Sequence, residues 1–84
     1  MRYRTRAEIV SQMLQVAKQD LSGVSKTKII YGASLSFFQS KEYIQLVLDR
    51  QLLEHDRERR RYMLTQKGIE YLELFEHTRA FGDI

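Results

Sequence analysis

Arg57, Arg59, Arg60 and Arg61 crowd around a single glutamate at the head of the stretch RERRRYMLTQKG, residues 57–68. A guanidinium is permanently charged and presents a fork of donors, which suits phosphate oxygens and a narrow minor groove. Upstream, Gln39, Lys41 and Gln45 supply a second chemistry. Glutamine pairs bidentately with adenine, and lysine reaches the guanine acceptors that face the major groove. Lys26, Thr27 and Lys28 form a third group, at a position where the free N–H groups of a helix start favour an anion. Asp56 and Glu58 dilute the arginine field and offer one or two of its members an intramolecular partner. Other chemistries find no support. The chain has no cysteine, and His55 and His77 have no carboxylate partner at a motif spacing. With no glycine-rich phosphate loop either, the expectation is a protein that is not an enzyme and carries no metal or cofactor.

These side chains need elements to hold them. Eighty-four residues with 43% apolar content suit one small domain, spanning 1–84, with a modest core. The absence of proline and the presence of four glycines favour helices. Thr5-x-x-Glu8 is a capping box, and Ile9, Val10, Met13, Leu14, Ala17 and Leu21 follow at helical spacing, predicting a first helix that ends near Asp20. Ser25 caps a short second helix, KTKIIYG, that buries Ile29 and Ile30. Ser36-x-x-Gln39 opens a third helix running to about Arg50. At 100° per residue its buried arc is Phe37, Ser40, Ile44, Val47 and Leu48, opposite Phe38, Lys41, Glu42, Gln45 and Asp49. QLLEHD and RRYMLT read as two short strands around DRER, and Thr65 caps a last helix beginning QKGIEYLELFEHT.

The predicted order is α-α-α-β-β-α, mainly helical with one small hairpin. A helix-turn-helix occupies about 25–51, a hairpin wing about 52–65 and a final helix about 66–80. Placed on that frame, the arginine run is the tip and return strand of the wing. The arrangement is a winged helix-turn-helix.

KTKIIYGASLSFFQSKEYIQLVLDRQLLE, then a wing, then YMLTQKGIEYL resembles an archaeal winged helix-turn-helix family over roughly residues 6–77. That family includes predicted transcriptional regulators, an archaellum-expression regulator and small dimeric chromatin-like proteins. The resemblance implies a DNA-binding domain that dimerises through its C-terminal helix. Two positions depart from the family pattern: Gln51 stands where a glycine commonly ends the recognition helix, and Ser40 stands where the family tends to be apolar.

The expected DNA-binding set is therefore Lys26, Thr27, Lys28, Ser36, Phe38, Gln39, Lys41, Gln45, Arg57, Arg59, Arg60 and Arg61, with double-stranded DNA as the partner. Phe38, on the outer face, either touches thymine methyls or covers the turn. Arg2, Arg4 and Arg6 offer an N-terminal arm along the backbone. Charge supports a basic body: residues 1–69 carry 13 basic and 7 acidic groups, whereas residues 70–84 carry 1 and 4. On the last helix Tyr71, Leu72, Leu74, Phe75 and Phe81 spread over about 180° of circumference, more than one small domain covers. Tyr71, Leu74, Phe75 and Phe81 are the expected homodimer interface, with Leu72 and Ile69 facing the domain's own core. No apolar run is long enough to span a bilayer and MRYRTRAEI lacks a signal-peptide pattern, so a cytoplasmic, nucleoid-associated location is expected. A transcriptional regulator is the first reading, because the recognition helix carries amides rather than a uniform basic row. A nonspecific nucleoid protein and a protein-interaction module are the alternatives.

Overall fold

Six elements follow one another along the chain: α1 (Arg6–Lys18), α2 (Lys26–Gly32), α3 (Phe37–Asp49), β1 (Leu53–Asp56), β2 (Arg61–Leu64) and α4 (Gln66–Gly82). The structure, a computed structural model, describes residues 3–82, and side chains as far as Thr78. The order is the expected α-α-α-β-β-α, a helix-turn-helix followed by a wing and a last helix.

Local chemistry starts each helix. The Thr5 hydroxyl accepts from the Glu8 N–H at 3.1 Å, and the Glu8 carboxylate accepts from the Thr5 N–H at 3.1 Å. Ser36 and Gln39 repeat this reciprocal pair at the head of α3. Such a pair satisfies two of the donors that a helix start leaves open. Ser25 and Thr65 cap α2 and α4, accepting from the N–H groups of Lys28 and Gly68.

Helix ends are equally defined. At the close of α3, Leu52 N–H reaches Val47 O at 2.9 Å and Gln51 N–H reaches Leu48 O at 3.0 Å, with Gln51 at φ 61°. This is a Schellman turn, whose left-handed residue is usually glycine. The same pattern closes α2, from Leu35 to Ile30 and from Ser34 to Tyr31, with Ser34 at φ 53°. That turn sets the angle between α2 and α3. α1 stops at Lys18 rather than near Asp20, and the chain then bends where Asp20 accepts from both the N–H and the hydroxyl of Ser22. Leu21 therefore lies outside α1 and is exposed, contrary to its expected place in the apolar band.

Met13, Leu14, Val24, Ile29, Val47 and Leu53 form the centre of the core, so every layer from α1 to β1 contributes to it. α2 packs on α1 where Gly32 meets Val16, an approach that a Cβ at position 32 would obstruct. The buried arc of α3 is Ser40, Tyr43, Ile44 and Val47. Phe37, expected inside, is 67% exposed, and Leu48 is half-buried. Ser40 is tolerated inside because its hydroxyl donates to Phe37 O at 2.8 Å. Ile30 packs only partly against the core, beside the fully buried Ile29. α4 lies across α1. Gly68 lets the start of α4 sit close to the base of the hairpin, since a Cβ there would collide with the Leu52 carbonyl and the Leu64 side chain.

β1 and β2 pair antiparallel in the register Leu53↔Leu64, Glu54↔Met63, His55↔Tyr62 and Asp56↔Arg61. The loop is Arg57–Arg60, one residue later than the DRER read from sequence. Val24 adds a bridge on the other edge of β2, exchanging 2.9 Å and 2.8 Å hydrogen bonds with Tyr62. The wing is thus fastened to the segment that leads into α2.

Candidate nucleic-acid interface

At the wing tip, Asp56 turns the chain. Its Oδ1 accepts from the N–H groups of Glu58 at 3.1 Å and Arg59 at 3.2 Å, and Arg60 takes the left-handed conformation at φ 54°. The arginines then divide by role. Arg59 donates to Ser22 O and lies 3.8 Å from Asp56 Oδ2, so it ties the tip to the α1–α2 loop. Sequence proximity suggests the pairing of an arginine with Asp56; the link to Ser22 has no sequence signal, because 37 residues separate the two groups. Arg61 is exposed, with its stem against Gly23. Gly23 at φ 123° leaves no room for a Cβ beside Arg61. Arg57 and Arg60 are exposed, and no ion pair or hydrogen bond within the described residues engages their side chains.

The loop under the wing is itself stiffened. Hydrogen bonds from the Ser22 hydroxyl and N–H hold the Asp20 carboxyl below the usual carboxylate range, with Lys28 and Arg61 adding favourable charge.

On α3, Phe38, Lys41, Glu42, Gln45 and Asp49 are all exposed, as the outer face requires. Several are already partnered. Glu42 accepts from Arg6 at 2.7 Å, and Gln45 donates to Asp49 at 2.7 Å. Gln39 is half-buried, and its oxygen accepts from the Ser36 N–H at 3.0 Å. Ser36 is exposed but its hydroxyl is committed to the Gln39 N–H. Lys41 sits with its ammonium 4.8 Å from the centre of the Phe37 ring. Lys26, Thr27 and Lys28 are exposed at the start of α2, where the Lys28 N–H is taken by Ser25.

The N-terminal arm is corrected. Arg4 donates to Gln12, to Ala33 O at 2.5 Å and to Ser34 O at 2.9 Å, which clamps the α2–α3 turn onto α1. Arg6 is the partner of Glu42. Both are structural ties within the domain, and Arg2 lies outside the described residues.

On α4, Leu72 is buried in the core as expected, and Ile69 is half-buried. Leu74 is 66% exposed and Phe75 half-buried, while Glu70, Glu73 and Glu76 are exposed. Tyr71 packs partly on its own domain, lining a recess of about 200 Å³ with Val10, Leu46 and Leu52, and burial raises its phenol pKa. The side chain of Phe81 lies outside the described set. His55 stacks on Tyr62 across the hairpin, ring centres 4.2 Å apart. Among the described residues no cluster of metal-ligating side chains occurs, and no helix is long and apolar enough to cross a membrane.

A family model described as winged helix-turn-helix matches residues 3–81. Among solved structures, the chain is similar to Sso10a-2, a DNA-binding protein from Sulfolobus solfataricus. The TM-score is 0.80 at 22% identity, over 95% of this chain and 83% of that one. No curated protein matches in sequence.

Proposed function

Because this chain belongs to the winged helix-turn-helix family, we propose that it binds double-stranded DNA as a homodimer and acts as a transcriptional regulator. The observation that carries the DNA reading is the exposure of Arg57 and Arg60 on a wing anchored to the helix-turn-helix, on a body of net basic charge. α3 enters the major groove with Lys41 and Phe38 foremost. The wing follows backbone or minor groove, and Lys26, Thr27 and Lys28 meet phosphates. The similarity to a DNA-binding protein supports the same reading. Leu74 and Phe75 on α4 join two copies, with the glutamates of that helix turned away from the polyanion.

One observation favours a second reading, a nucleoid protein with little sequence preference. Gln39 and Gln45 both spend part of their hydrogen-bonding capacity inside the domain. Base readout by either requires breaking or sharing those bonds. Measuring affinity for a selected site and for unrelated duplex separates the two. For a regulator, alanine at Gln39, Lys41 or Gln45 costs about 1–3 kcal/mol at the site and far less on unrelated DNA. Equal losses on both point to the nucleoid reading. Absence of salt-dependent binding to any duplex points to a protein-interaction module and overturns DNA binding altogether.

A further inference from the structure

Phe37 and Phe38 are 67% and 80% exposed at the first turn of α3. Their rings meet edge to face, 5.6 Å between centres at 78°. An edge-to-face pair is a favoured aromatic geometry, and it leaves the broad face of at least one ring open to solvent. A cation stands directly at the rings. Lys41 stands over Phe37, and the neighbouring acid Glu42 is neutralised by Arg6. Asp49, further along the same face, is engaged by Gln45. An apolar aromatic pair beside a lysine ammonium is the combination that holds bases by stacking and their phosphates by attraction.

A paired duplex hides its base faces by stacking and shows edges alone in its grooves. A ring face at α3 therefore finds its match where a base is unpaired or unstacked. We propose that Phe37 and Phe38 form a base-stacking ledge, through which the protein prefers DNA containing unpaired bases over fully paired DNA of the same length. This rests on the DNA-binding reading above and specifies how α3 engages its partner.

The test is a competition between a paired duplex and the same duplex carrying a short central run of mismatched thymines, measured by fluorescence anisotropy at fixed salt. The wild-type protein should bind the mismatched DNA about fivefold or more tighter. Phe37→Leu with Phe38→Leu keeps apolar volume and removes the π-faces. It should bring the ratio of mismatched to paired affinities down to about one, whatever the loss of Phe38 from the groove costs paired-duplex binding. Phe38→Tyr retains the ring and should retain the preference. Equal wild-type affinities overturn the ledge and leave DNA binding standing, as does a preference that survives in the leucine variant. Failure to bind either DNA overturns both.

Discussion

Four wing arginines of one type do not do one job. Arg59 is spent on Ser22 O and Asp56, whereas Arg57 and Arg60 project from the tip with no partner among the described residues. Alanine at Arg57 and Arg60 should weaken binding to all duplexes alike and lower the logarithmic salt slope by about 0.9 for each phosphate no longer neutralised. Alanine at Arg59 should reduce the slope less and instead loosen the wing, seen as faster amide exchange in Val24 and Tyr62. A slope unchanged in the Arg57–Arg60 variant removes the tip from the interface. A second expectation concerns pH. Burial raises the phenol pKa of Tyr62 and of Tyr71, so the fold favours their neutral forms. Their contribution is complete below the unfolded value of about 10 and is lost as pH rises through the raised folded values. Thermal melts should therefore show an alkaline fall that Tyr62→Phe with Tyr71→Phe makes shallower; an identical fall would contradict this.

Elements are legible in the sequence where the signal is local. Thr5 with Glu8 and Ser36 with Gln39 announce their helix starts, because a capping box spans three residues. The hairpin is legible from Tyr62 and Leu64. Its loop lies one residue away from the sequence reading because Asp56 serves both as the last strand residue and as the acceptor that turns the tip. The burial of α3 is harder to read. Its true arc is rotated about 40° from the projected one, admitting Tyr43 and releasing Phe37. Angular projection gives a direction, but whether a neighbour reaches the first turn of the helix depends on tertiary packing. The functions of Arg4, Arg6 and Arg59 are hidden for the same reason, since their partners are distant in sequence. Gln51 stands where the resemblance implies a glycine, and it takes the left-handed φ that glycine adopts at least cost. Gln51→Gly should stabilise the domain by up to about 1 kcal/mol in denaturant melts, relieving strain at the Schellman turn against a small entropic cost. Gly68→Ala should do the opposite, by about 1–3 kcal/mol, because the added methyl meets the Leu52 carbonyl. A neutral Gly68→Ala would mean that α4 sits less tightly on the hairpin.

At the scale of the whole molecule, the proposed function gives the basic body to DNA and the acidic final helix to a second copy of the chain. α4 extends for 17 residues, about 25 Å, and its Leu74 stays exposed among the described residues. A second copy packed there would bury Leu74 and Phe75 and leave Glu70, Glu73 and Glu76 in water. It would also hold two α3 helices in a fixed relation, as two half-sites about 34 Å apart demand. Leu74→Glu with Phe75→Glu should give a folded monomer that binds DNA far more weakly, since each complex then grips the duplex through one domain in place of two. The most direct measurement is sedimentation equilibrium of the wild-type protein, alone and with a duplex of about 30 base pairs, which spans two half-sites. The account predicts a dimer near twice 10.0 kDa in the absence of DNA and a complex of one duplex with two chains. A monomer at high micromolar concentration that leaves the duplex sedimenting unaltered would contradict it.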